Sequence, residues 1–177
     1  MFSWPLARYR ITSPFGPRTN PVTGKAQDHG GVDLAVPPGT YVGAVGAGKV
    51  GVVVRDHPVA GHYVEVDHGA GTWSRYLHLS RIDVAVGQPV KAGEMLGVSG
   101  GGPGQPGAGR STGPHLHLEL WQGGQPYRGG KPVNPIPFLT GQFGRVLGSG
   151  LLALLLPASI AIGIFWYVRR RRSVSAR

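Results

Sequence analysis

Apolar and polar residues alternate over several short stretches of this 177-residue chain, and a period of two is the mark of β-strands. GKVGVVVRD (48–56), HYVEVDHG (62–69) and TWSRYLHL (72–79) are such runs, rich in β-branched and aromatic residues and separated by glycine-containing turns. In the second run Val64 and Val66 face one way and Glu65 and Asp67 the other, which predicts a sheet with one solvated face. HLHLEL (115–120) divides likewise, with Leu116, Leu118 and Leu120 toward the core and His115, His117 and Glu119 on the opposite face. The Gly/Pro-rich stretch Ser99–Gly113 predicts a loop beside that strand, and roughly 128–144 reads as the way out of the domain. No repeat of solenoid length is present. The pattern predicts an all-β domain over 1–139, built on an antiparallel sheet, with a linker over 140–145.

A different pattern follows. From Val146 to Val168 no residue carries a charge, and Arg169, Arg170, Arg171 and Arg172 come next. Some 20 apolar residues at ~1.5 Å rise match a hydrocarbon core of ~30 Å. Trp166 and Tyr167 sit where an interfacial aromatic belt belongs, and Pro157 falls mid-span, where membranes tolerate it. The expectation is one C-terminal transmembrane helix (146–168) and a basic tail (169–177), so a lipid membrane is one partner. Arginines favour the cytoplasmic side, which puts the domain on the far side of a single-pass membrane protein. The first eleven residues, MFSWPLARYRI, hold no apolar run of signal-peptide length. Two routes remain open: a tail-anchored domain that stays in the cytoplasm, or delivery by other means, such as assembly into the membrane of a virus particle.

Charge adds little. Of the net +10, +6 lies from Arg145 onward, where there are six basic residues and no acidic one. The high pI therefore comes largely from the tail, and the domain lacks the basic face with interleaved aromatics that nucleic-acid binding requires. No nucleic-acid partner is expected. The chain has no cysteine, which excludes disulfides and thiolate metal ligands.

Candidate chemistry lies in two histidine motifs, HGGVD (29–33) and HLHLE (115–119). His29, Asp33 and one histidine of the HLH pair make a set of nitrogen and carboxylate donors that suits a catalytic zinc with a position open for water. His78, in YLHLS, is placed to work beside it. Glu119 shares the HLH face and is a candidate to orient a ligand histidine. His57, His62 and His68 match no ligand motif and read as non-catalytic.

Taken together, ITSPFGPRTNPVTGK (11–25), HGGVDLAVPPGT (29–40), YLHLS (76–80), VKAGEMLGVSG (90–100), STGPHLHLEL (111–120) and NPIPFL (134–139) resemble the lysostaphin-type or LytM-like zinc endopeptidases, which cut peptidoglycan cross-links. The resemblance implies an antiparallel β-fold with an open groove and one zinc. It implies His29, Asp33 and His117 as zinc ligands, His78 and His115 as catalytic histidines, and the peptide cross-links of bacterial peptidoglycan as substrate. Some relatives carry a tyrosine a few residues before the first zinc histidine; TGKAQD (23–28) has none. The loop 100–110, GGGPGQPGAGR, is also distinctive, so preference among cross-links is not carried over. Two other readings accompany the enzyme: an inactive relative that binds wall or activates a hydrolase, and a structural membrane protein of a virion. Every matched position is filled, which favours the enzyme.

Overall fold

The structure is a computed structural model that describes residues 1–20 and 23–141, which form one compact unit. The predicted membrane helix, the basic tail and the linker beyond Gly141 lie outside the described residues. Among the described residues no helix is long and apolar enough to cross a membrane.

Among the described residues, twelve strands and one short helix follow in order: β1 Arg10–Ser13, β2 Gly16–Thr19, β3 Ala26–His29, β4 Val32–Ala35, β5 Tyr41–Gly43, β6 Gly48–His57, β7 Gly61–Asp67, β8 Trp73–Ile82, β9 Pro89–Val90, β10 Met95–Ser99, β11 Leu116–Gln122, β12 Lys131–Val133 and α1 Pro135–Leu139. Ten of the strands make one antiparallel sheet whose main path runs β1-β4-β11-β8-β7-β6-β9. β12 extends the edge of β11, and β10 pairs with both β5 and β8. β2 and β3 form a separate two-stranded ribbon.

One face of the sheet carries the apolar core. Val32 and Leu34 of β4, Leu116 and Leu118 of β11, Tyr76 and Leu79 of β8, and Val64 and Val66 of β7 are essentially inaccessible to water. Alternation supplies these positions along β4, β7 and β11, as the sequence predicts for β7 and β11. The Tyr76 hydroxyl accepts bonds from Val45 N–H at 2.8 Å and Ser74 Oγ–H at 2.9 Å, so its burial leaves no polar oxygen orphaned.

The opposite face departs from expectation. Glu65 was predicted to meet solvent but is buried, and so are Arg75 and Glu119. A parallel row of the same face holds Asp33, His117 and Leu77, directly opposite one another across β4, β11 and β8. Polar side chains thus fill a second, enclosed layer, which alternation alone reports as a wet face.

The way out of the domain is also more ordered than predicted. Within 128–144, Lys131–Val133 pairs with Leu120–Gln122, and Pro135–Leu139 makes a helical turn whose Leu139 joins the core. Asn134 caps it, its Oδ1 accepting from Ile136 N–H at 3.1 Å, with Pro135 at the position where a missing N–H costs nothing.

β8 changes partner halfway along. Trp73–Leu77 pair with β11, while Leu79–Ile82 pair with β10. His78 sits at the change in the left-handed region, with φ 62°. The register with β7 shifts at the same place, the mark of a bulge. Strict alternation would send His78 to the core side; the bulge turns Leu77 and His78 both to the polar face and returns Leu79 to the core.

The close approach of β4 to β11 depends on Gly31. A Cβ there would lie 2.4 Å from the carbonyl oxygen of Leu118 and 2.9 Å from His117 Nε2. The first obstacle is backbone and cannot swing aside. Gly31→Ala is expected to lower stability by about 3 kcal/mol, the upper end of overpacking costs, whereas Gly113→Ala, which meets nothing within 4 Å, is expected to be silent. Urea denaturation midpoints of the two variants decide this, and equal midpoints would contradict it.

Candidate active site

Sheet register assembles the site. Asp33 lies opposite His117 in the β4–β11 ladder and opposite Ser13 in the β1–β4 ladder. His29 ends β3, and two glycines carry the chain from it to Asp33 within four residues. The result is a cluster of three donors: His29 Nε2 is 3.1 Å from His117 Nδ1, His117 Nδ1 is 2.7 Å from Asp33 Oδ1, and His29 Nε2 is 3.2 Å from Asp33 Oδ1. Two further histidines adjoin it. His115 Nε2 is 3.6 Å from Asp33 Oδ1, and the His78 ring lies 4.9 Å from that of His115 and 6.2 Å from that of His117. All five residues predicted for the site therefore come together.

Hydrogen bonds on the far side of each ring set where its proton sits. A backbone carbonyl only accepts, so His29 donates from Nδ1 to Pro14 O at 2.8 Å, His78 from Nδ1 to Ala108 O at 2.8 Å, and His115 from Nδ1 to Gly113 O at 2.8 Å. Each is left with a basic Nε2. His117 is turned the other way: its Nε2–H donates to Glu119 Oε1 at 3.1 Å, and its Nδ1 faces Asp33 and His29. Glu119 itself accepts from Trp121 Nε1–H at 2.8 Å and from Arg75 Nη1–H at 3.3 Å. It is at once a salt-bridged carboxylate and the group that orients His117.

The donor set fits zinc. Two imidazole nitrogens and a carboxylate oxygen converge, their atoms all within 4.8 Å of one another. Tetrahedral zinc with ~2.0–2.1 Å bonds needs ligands about 3.3 Å apart, close to the separations found. Neutral His29 and His117 would turn two lone pairs and a carboxylate oxygen on one another, an arrangement that calls for a cation at their centre. Asp33 supplies the anionic member of the set. Burial alone would raise its pKa, yet hydrogen bonds with His117 and His29 hold it far below the usual carboxylate range. His117 lies between two carboxylates, and despite burial Asp33 and Glu119 push its pKa up to about 9.

The adjoining histidines behave oppositely. Burial, with His115 and His117 nearby, depresses the His78 pKa to about 4, and burial lowers that of His115. Both are neutral at pH 7 and able to accept a proton. The other three histidines serve the backbone. His57 Nδ1 accepts from Val59 and Ala60 N–H, His62 Nδ1 accepts from Asp56 N–H, and His68 bridges Ala47 O and Ser74 Oγ.

Sequence reasoning missed Arg18. Its Nη1 donates to Asp33 Oδ2 at 3.0 Å and to Ser13 Oγ at 2.6 Å, which reserves Asp33 Oδ1 for the centre. The only signal was its place in PFGPRTN, a loop-and-ribbon motif with no chemistry of its own. Arg75 was missed as well, being one basic residue in a strand that looked half-solvated.

The cluster lies in an open groove of roughly 700 Å³. Arg18, Tyr63, Arg110, Thr112 and Tyr127 are among its walls. Tyr63 and Tyr127 bring phenols to a groove whose TGKAQD segment has none.

Comparison with known proteins agrees with this geometry. Residues 27–135 match the model of peptidase family M23. Over 131 residues the chain is 45% identical to the peptidoglycan DD-endopeptidase ShyA of Vibrio cholerae, covering 73% of this chain and 29% of that one. A zinc containing peptidase from Vibrio cholerae superposes with a TM-score of 0.63 at 42% identity, over 75% of this chain and 38% of that one. The catalytic domain of lysostaphin from Staphylococcus simulans superposes with a TM-score of 0.63 at 31% identity, over 75% of this chain and 92% of that domain. The chain thus spans under a third of the length of ShyA but nearly all of the lysostaphin catalytic domain. With the family model matching more than half of its residues, and with a zinc-type donor set at the centre of a shared antiparallel fold, this chain belongs to peptidase family M23.

Proposed function

We propose that the domain is a zinc endopeptidase that hydrolyses the peptide cross-links of bacterial peptidoglycan. One observation carries the reading: a three-donor centre beside two neutral histidines on the floor of an open groove. His29, Asp33 and His117 hold the metal, and Arg18 steadies Asp33 through its second oxygen. Bound zinc supplies Lewis-acid polarisation of the scissile carbonyl and lowers the pKa of water from ~15.7 toward ~7.

The remaining work falls to the chain. His78 and His115 have their Nδ1 protons committed to Ala108 O and Gly113 O, so Nε2 is the working nitrogen of each. One takes the proton from water as its oxygen attacks the carbonyl carbon, and the same proton then goes to the leaving amine as the C–N bond breaks. The other presents its own unprotonated Nε2 beside the same water and accepts a hydrogen bond that orients it for attack. An open groove suits a polymer, whose cross-links must reach the centre from the side. An inactive wall-binding relative would need neither the paired neutral histidines nor their backbone anchors.

We propose further that residues 146–168 hold the protein in a membrane, with the domain facing the wall. Support comes from the charge-free span, the Trp166-Tyr167 pair and the arginines after it, and from the location of peptidoglycan outside the membrane. A virus-particle membrane is one setting that would put the domain on that side.

Three outcomes test these proposals. In the full-length protein, Asp33→Ala and His117→Ala are expected to lose zinc and activity together. His78→Ala and His115→Ala are expected to keep zinc while wall-lysis rates on zymograms fall by about 10²–10⁴-fold. If His115→Ala empties the site while His117→Ala does not, the two strand histidines exchange roles. A second test concerns protons. With its pKa raised to about 9, His117 is protonated at pH 7, and zinc competes for the same Nδ1. Zinc uptake is expected to release about one proton, and apparent affinity to rise about tenfold per pH unit between 7 and 8.5. Calorimetry in buffers of different ionisation heat measures this, and a pH-independent affinity would refute it. Finally, the full-length protein is expected to sediment with membranes and to resist carbonate extraction, and protease added to spheroplasts is expected to remove the domain. Protection of the domain until detergent is added would reverse the orientation.

A further inference from the structure

Glu65, Arg75 and Glu119 stand directly opposite one another across β7, β8 and β11. All three are buried to within about 5% of their accessible surface. Taking an ion out of water costs several kcal/mol, and an apolar row of the same volume is often as stable or more so. Stability alone does not account for three charges in this place.

Their contacts lead to the metal centre. Arg75 Nε lies 3.1 Å from Glu65 Oε1, an ion pair rather than a well-directed hydrogen bond. Its Nη1 donates to Glu119 Oε2 at 3.3 Å. The guanidinium rests 4.3 Å from the centre of the Tyr63 ring and 5.2 Å from that of Tyr127. Glu119 Oε1 is thereby free to accept from His117 Nε2–H at 3.1 Å.

We propose that Arg75 is a positioning residue for the metal centre, holding Glu119 so that His117 keeps its proton on Nε2 and presents Nδ1 to the metal. The proposal rests on the reading of His117 as a zinc ligand. Arg75 has no contact with Asp33, His29 or His117 among the bonds and ion pairs of the described residues, so it acts through Glu119. The row carries two carboxylates and one guanidinium, and the net negative charge left behind His117 strengthens that ring as a donor to zinc. A fork is needed: one nitrogen faces Glu65, another faces Glu119, and the flat face lies on Tyr63. A lysine ammonium cannot supply all three.

The test is zinc binding to the full-length protein, measured by competition with a chromophoric chelator, together with the imidazole N–H proton resonance of His117 in the zinc-loaded form. Arg75→Met is expected to weaken zinc binding by about 10–100-fold and to broaden or shift the His117 Nε2–H resonance. Arg75→Lys restores the charge without the fork and is expected to recover only part of the affinity. Glu119→Gln, which preserves volume, is expected to lose a similar amount, and the Arg75→Met/Glu119→Gln double variant no more than the worse single one. Should Arg75→Met fail to fold, Arg75→Lys and Glu119→Gln give the same comparison. Unchanged zinc affinity in folded Arg75 variants, or losses that simply add with those of Glu119→Gln, would overturn the proposal. Retention of zinc by His117→Ala would instead overturn the reading of His117 as a ligand, so the two failures are separable.

Discussion

The register between β4 and β11 is the constraint on which the site depends. It sets Asp33 opposite His117, and a slip of β4 by one residue would send Asp33 to the apolar face and put Val32 or Leu34 opposite His117. The donor side chains of the two motifs do not fix this pairing themselves. It is set by leucines and valines on the other face, where the slipped register would expose core residues to water, and by Gly31, whose lack of a side chain lets the Leu118 carbonyl come close. The donor cluster is thus held by the hydrophobic layer beneath it.

The same constraint explains what the sequence does and does not disclose. Strands over 48–57, 61–67, 73–82 and 116–122 announce themselves through alternation, because each has one face on the core. His29, Asp33, His115 and His117 stand out because histidines and a carboxylate in two tight motifs are rare without a shared purpose, and His78 stands out through its place in YLHLS. Glu65 and Arg75 stay hidden, since a charged residue alternating with core residues reads the same whether its face is wet or covered by other polar groups. Arg18 is hidden for another reason: its partner Asp33 lies 15 residues on, and a separate ribbon brings them together. β12 and α1 escape notice because each is too short for periodicity to register, and their order comes from the edge of β11 and the core they join.

Polarity in this domain is layered. The row of Asp33, His117 and Leu77 meets the groove, and the row of Glu65, Arg75 and Glu119 lies beside it, shielded by Tyr63, Trp121 and Tyr127. Screening by water is weak for such groups, so their interactions are stronger than on a surface, and each unpaired member costs more. Opposite charges therefore alternate along the row, as Glu65, Arg75 and Glu119, and the last carboxylate passes to His117. A cation at the centre completes the alternation.

The bulge at His78 shows how the fold accommodates chemistry that regular β-structure cannot deliver. A flat ladder places successive residues of β8 on opposite faces, so Leu77 and His78 could not both reach the groove. A left-handed residue at the point where β8 exchanges β11 for β10 resolves this, with the His78 N–H satisfied by Ala60 O at 3.1 Å and its ring anchored by Ala108 O. A non-glycine residue in that conformation costs of order 1 kcal/mol or more. Glycine would relieve the strain but remove the imidazole. The position therefore holds a residue that the backbone disfavours, and what the bulge presents is a neutral ring beside the three-donor cluster.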